Sequence, residues 1–263
     1  MTFLIIFVSM KIVKIKGPLR LQMFQYAMFM AVNEIYGDTI MEGKTLLPGK
    51  VFQISHSDCF APQGIRMPWK TDPYKNFAEV QNPQSTDDIK NVPENCIFTL
   101  DSPSLQCIEG IEESIRQEFR FRQAMPHIYD PEAETVAMHI ADPDRRGNTC
   151  TGDYYNWAVA NINTFLPGAQ FHIFTDNAKW VNRHITGLPQ DTAIHDTRHT
   201  THAELMQAIA AAKHTVMSAS LDDWWAAYLN ANPDKIVIAP QRWSGNINPT
   251  RLLPLHWTII PVT

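Results

Sequence analysis

Two aspartates followed by two tryptophans, Asp222-Asp223-Trp224-Trp225, open a helix inside residues 216–243, a stretch that reads as strand, loop, helix, Pro turn and strand. A helix that starts outside the carboxyl end of a strand presents unpaired N–H groups and the positive end of its dipole. The loop at Ala219-Ser220 is therefore where an anionic, nucleotide-type ligand would sit. Asp222 and Asp223 are good helix caps, and they are also carboxylates that would repel a diphosphate unless a cation intervened. Trp224 and Trp225 read mainly as core packing, with stacking on a base or sugar as the alternative. His139, on the apolar run Val136-Ala137-Met138-His139-Ile140, is either a hydrogen-bonded core residue or a catalytic one. Asp176, at the carboxyl end of another strand, divides between a catalytic role and a helix cap, while Glu204 and Asp196 are similarly placed but unspecific.

The elements that must position these groups alternate between strand and helix. Lys11 to Lys16 alternates apolar and basic residues as a first strand, Gly17-Pro18 turns the chain, and residues 22–35 carry apolar side chains at helical spacing. Strand, glycine turn and helix are the opening of a Rossmann-like unit. Residues 45–105 are rich in Pro, Asn, Asp and Ser and read as irregular connections around short elements. An amphipathic helix is expected over 109–121, and Asp130-Pro131 reads as a boundary between halves spanning 10–130 and 131–263. Beyond it, buried strands at 136–140, 171–174, 215–218 and 235–239 alternate with helices at 154–165 and 200–213, with Pro240 as a stop. That alternation predicts an α/β fold with parallel, doubly wound sheets.

Bulk properties narrow the classes. With 263 residues, 44% of them hydrophobic, the chain can bury a large core. A net charge of −5 provides no electrostatic footprint for nucleic acid. The four cysteines show no CxxC pair and read as reduced, buried thiols, which suits a cytoplasmic protein. The apolar start MTFLIIFVS is nine residues long, too short to span a membrane and without a basic start or cleavage site. It reads as a start-site extension, and neither a signal peptide nor a transmembrane segment is expected.

Gln22-Met23-Phe24-Gln25-Tyr26-Ala27, the block from Lys213-His214 through Trp225 to Asn230, Asn232 through Pro240, and Asp153-Tyr154-Tyr155 followed by Phe174-Thr175-Asp176 together resemble the glycosyltransferase family 11 α-1,2-fucosyltransferases. The likeness runs from Met10 over nearly the whole chain, and it rests on the order and spacing of these motifs. It implies a GT-B architecture, two Rossmann-like halves facing a cleft, with the nucleotide sugar held mainly by the C-terminal half. It also implies inverting transfer of fucose from GDP-fucose to a galactose-terminated glycan, without cofactor or metal. The expected partners are thus the nucleotide sugar and an oligosaccharide or lipid-linked glycan, the latter placing the protein peripherally at the inner face of a membrane.

The departures from that family fall on the donor motifs. Gly17-Pro18-Leu19-Arg20-Leu21-Gln22 stands where the family has GGLGNQ, with Gly17 and Gln22 retained as expected donor contacts. The family's HxRRxD motif begins at His139, but Ala141-Asp142 occupy the arginine positions and Arg145-Arg146 follow four residues later. A short insertion would leave Arg145 and Arg146 to hold the diphosphate, a role suited to bidentate guanidinium; the alternative is a solvated loop. Ser218 and Ser220 are expected hydroxyl donors to the diphosphate, with Asp222 and Trp224 beside it, and His139 and Asp176 on the acceptor side or orienting the donor. The altered motifs leave two other readings: a non-catalytic relative binding glycan or protein, or a transferase with a different donor and a divalent ion at Asp222 and Asp223.

Overall fold

A computed structural model of the chain describes residues 10–62, 74–125, 127–141, 149–244 and 247–262. They form two compact units, Met1–Arg122 and Gln123–Thr263. The division falls ahead of the expected Asp130-Pro131 boundary, between Arg122 and Gln123. There the Gln123 carbonyl accepts from Gln207 Nε2 at 2.6 Å and the Tyr129 hydroxyl donates to the Ala208 carbonyl at 2.7 Å.

The first unit runs β1 (Lys11–Ile15), α1 (Leu19–Tyr36), β2 (Thr39–Gly43), α2 (Pro48–Val51), β3 (Phe60–Pro62), β4 (Ala78–Gln81), α3 (Thr86–Lys90), β5 (Cys96–Thr99) and α4 (Glu112–Glu118). All four pairings are parallel, in the order β3-β2-β1-β5-β4. Three of these strands lie within 45–105, where irregular connections around short elements were expected. They are three or four residues long, too short for period-two patterning to stand out from the polar residues around them.

Helix α1 buries ten of its residues, among them Gln22 and Gln25, and the two amides fasten the first turn. Gln22 Nε2 donates to the Gly17 carbonyl (3.0 Å) and its Oε1 accepts from Leu47 N–H (2.8 Å). Gln25 accepts from Lys16 N–H (2.8 Å) and donates to the Leu100 carbonyl (2.9 Å). Gly17 turns there at φ 84°, a conformation that favours glycine. Gly43 is required for a different reason: a Cβ on it would lie 2.2 Å from the Ile15 carbonyl oxygen of the neighbouring strand. Gly43→Ala is expected to destabilise this unit by about 1–3 kcal/mol, read from denaturant unfolding; an unchanged midpoint would contradict the close approach.

The second unit runs β6 (Thr135–Ile140), α5 (Gly152–Phe165), β7 (Gln170–Thr175), α6 (Ala178–His184), β8 (Ala193–Asp196), α7 (His202–Ala210), β9 (His214–Val216), α8 (Leu221–Leu229), β10 (Val237–Pro240) and β11 (Thr258–Ile260). Its sheet is parallel throughout, in the order β11-β10-β9-β6-β7-β8. Pro240, expected to stop β10, is its last residue and stands in register with Ile260 of the edge strand. Tyr154, Tyr155, Ala158, Val159 and Ile162 of α5 pack on Val136, Met138, Ile140 and Ile173, so one apolar helix face covers one face of the sheet. Among the described residues no helix is long and apolar enough to cross a membrane.

At the β7–β8 edge, His172 Nδ1 and His195 Nε2 are 3.0 Å apart with their rings stacked, and the Tyr129 ring lies against His172. Burial, and for His172 also its partner histidine, holds both imidazoles below their ordinary range. A histidine with a depressed folded pKa contributes stability above its unfolded value, near 6.5, and loses it as pH falls through the folded value. The stability of wild type relative to His195→Gln is therefore expected to drop as pH is lowered from 7 to 5, by chemical denaturation at each pH.

Candidate functional site

The chain order of the second unit reverses direction at one place. From β6 it proceeds to β7 and β8 on one side, then returns to β9 on the other and continues to β10 and β11. The crevice outside the carboxyl ends of β6 and β9 is thus the switch point where open α/β sheets bind ligands. Three described groups converge there. His139 is the penultimate residue of β6 and lies just past the register pair Met138↔Val216; Ser218 follows the end of β9; Asp223 is in the first turn of α8.

His139 Nδ1 lies 2.7 Å and 2.9 Å from the two carboxylate oxygens of Asp223. The Asp223 side chain is fully buried and that of His139 is 14% exposed. Asp223 Oδ2 also accepts the Ser218 backbone N–H at 2.6 Å, and Ser218 Oγ approaches His139 Nδ1 at 3.5 Å. Burial pulls the imidazolium pKa down, but the Asp223 carboxylate, aided by Asp222 and Asp176, outweighs it and leaves His139 above its ordinary value. With Nδ1 directed at Asp223, Nε2 is the ring nitrogen left for a ligand.

The second carboxylate is matched in the same way. Asp222 Oδ2 lies 3.2 Å from His202 Nδ1, at the start of α7. Each aspartate of the pair thus meets a histidine from another element. Ser220 is the N-cap, its Oγ accepting from Asp222 N–H at 3.1 Å, while both aspartates complement the helix dipole from the first turn. Among the described residues no group of three or more His, Cys, Asp or Glu is placed to hold a metal ion.

The expected site residues separate on this geometry. His139, Ser218, Ser220 and Asp222 come together at the switch point. Asp176, just past β7, is exposed and contributes to the charge at His139. Trp224 has a packing role instead of an open face. Its indole is fully buried, donates Nε1–H to the Leu252 carbonyl at 2.9 Å and stacks on Tyr228. Gly17 and Gln22 lie in the first unit, where the Gln22 amide is committed to backbone at both ends. Arg145 and Arg146 lie outside the described residues. Asp223 as partner to His139 was missed, because its position in a helix first turn is explained locally by capping. Burial pushes the thiol of Cys150, near the same rim, up to about 12.

Residues 7–249 match the sequence profile described as Glycosyl transferase family 11. An Escherichia coli protein named O-antigen biosynthesis glycosyltransferase WbnK is 26% identical over 147 residues, a match covering 50% of this chain and 47% of that protein. The chain thus spans about half the length of that relative. Among solved structures, a mutant of Arabidopsis thaliana FUT1 in complex with GDP superposes with a TM-score of 0.57 at 10% identity, covering 91% of this chain and 72% of that one. A glycosyl transferase family 9 protein from Veillonella parvula superposes with a TM-score of 0.51 at 7% identity, covering 97% of this chain and 87% of that one. At these identities the structural likeness is one of fold, and it agrees with two parallel-sheet α/β halves of the GT-B kind.

Proposed function

Because the chain belongs to glycosyl transferase family 11, we propose that it transfers fucose from GDP-fucose to the 2-hydroxyl of a galactose-terminated glycan with inversion at the anomeric carbon. The observation that carries this reading is the His139–Asp223 pair at the switch point of the second sheet. The GDP complex of the superposing FUT1 supports a guanine nucleotide as leaving group. The O-antigen role in the relative's name supports a glycan acceptor, and a lipid-linked one would bring the protein to the inner face of a membrane.

In such a transfer the acceptor 2-hydroxyl oxygen bonds to the anomeric carbon and gives up its proton as the bond from that carbon to the phosphate oxygen breaks, and negative charge grows on the departing diphosphate. A site that does not rely on a metal must meet that charge with fixed cations and N–H donors. Asp223 holds the His139 imidazolium in one orientation through Nδ1–H, leaving Nε2–H to donate to the leaving group. The α8 N-terminus adds its dipole, and Ser218 contributes its hydroxyl. Arg145 and Arg146 complete the diphosphate site in this reading.

The test is a transfer assay on purified protein with GDP-fucose, GDP-mannose and UDP-galactose against galactose-terminated acceptors, the linkage of the product read by NMR. Fucose on the galactose 2-hydroxyl upholds the proposal. Transfer from another donor would replace GDP-fucose. No transfer, together with glycan binding, would leave a non-catalytic member of the family.

A further inference from the structure

We infer that the second unit carries a carbohydrate-binding subsite built on Trp157 and Asp153, separate from the His139–Asp223 pair; it rests on the transferase reading only for the choice of probe. A pocket of about 360 Å³ lies between the first turns of α5 and the end of β11, lined by Asp153, Tyr154, Asn156, Trp157, Ile260 and Pro261. Pockets of this size accept small molecules.

Its lining residues divide into those the fold uses and those it does not. Tyr154 is buried, and its hydroxyl donates to the Met217 carbonyl at 2.7 Å. The Asn156 amide is committed at both ends, to the His184 carbonyl (3.0 Å) and Thr186 N–H (2.7 Å). Ile260 belongs to the core. Trp157 is off the apolar face that α5 packs on the sheet, and it is 63% exposed. Asp153 is an exposed carboxylate one turn before it on the same helix.

An exposed indole that shares one pocket with a carboxylate and with the aliphatic Ile260 and Pro261 matches the two-sided character of a pyranose. The C–H face of the sugar covers the ring, and hydroxyls on its rim donate to Asp153. The same carboxylate disfavours phosphate and nucleotide, so the structure assigns the pocket to a neutral sugar of an oligosaccharide. Position agrees. Ile260 ends β11, so the pocket opens on the carboxyl-end rim of the sheet. Tyr154, in its wall, bonds Met217, whose neighbour Ser218 donates to Asp223. A glycan engaged here lies on the same rim as the candidate site.

The test uses full-length protein labelled with fluorotryptophan, its fluorine NMR line for Trp157 identified by loss in Trp157→Phe. Titration with lactose and with a neutral galactose-terminated tetrasaccharide is expected to shift that line, the tetrasaccharide at lower concentration. By isothermal titration calorimetry, Trp157→Ala is expected to weaken tetrasaccharide binding about tenfold, with Trp157→Phe restoring most of it and Asp153→Ala weakening it several-fold. Trp157 is exposed, so these variants should fold as wild type. A Trp157 line unmoved by either sugar in the tens-of-millimolar range, or moved by GDP and not by sugar, would overturn the assignment. A sugar-dependent Trp157 line in a protein that binds no nucleotide would instead sink the donor reading and leave the subsite standing.

Discussion

Asp223→Ala is expected to destabilise the second unit by roughly 3 kcal/mol, because removing one partner of a buried ion pair leaves the other uncompensated. The Asp223 side chain is fully buried, and its loss strands both His139 and the Ser218 backbone N–H. Asp223→Asn keeps an acceptor for that N–H and should cost less. A double-mutant cycle with His139→Ala isolates the pair, and additive losses would contradict the coupling. The pH dependence has a definite sign. His139 is raised in the folded state, so its pairing contributes fully below about 6.5 and is lost as pH rises through the raised value. Asp223→Ala should remove that descending segment, a sign opposite to the one expected at His172 and His195.

His139→Ala is expected to lower the rate of the proposed fucose transfer by about 10²–10³, the usual loss on removing one preorganised donor to a developing anion. The fall should appear in kcat more than in KM, since the charge on the leaving group is greatest in the transition state. A pH profile separates the two roles a histidine can take. If His139 acts as imidazolium, as its raised pKa favours, wild-type activity declines as pH rises through that ionisation. Activity that climbs along the same limb would make it a base toward the acceptor hydroxyl instead.

Much of the second unit was legible in the sequence because its signals are local. Val136 to Ile140 and Phe171 to Phe174 are apolar runs buried on both faces, and the helices between them carry 3.6-residue periodicity. Of the first sheet only β1 was, since Phe60–Pro62, Ala78–Gln81 and Cys96–Thr99 are short, and only pairing with β2, with β1 and with each other makes them strands. The site shows the same divide. His139 and Ser218 are named through the family resemblance, with His139 otherwise open between a core and a catalytic role, and the pairing of His139 with Asp223 spans 84 positions. Nothing in spacing distinguishes a capping aspartate from one that also orients a distant imidazole. Trp224 reads mainly as core packing, with stacking beside the ligand loop as the alternative, and the core takes it whole.

Thermal unfolding of wild type and His139→Ala in the presence of GDP, GDP-fucose, ADP and UDP-sugars tests the central claim most directly. A ligand at 100 times its dissociation constant adds about 2.7 kcal/mol of stability. The account predicts stabilisation of the wild type by GDP and GDP-fucose, little by ADP or UDP-sugars, and a smaller response in His139→Ala. A flat response to every nucleotide, or an equal one in the variant, would contradict a donor site at His139 and Asp223.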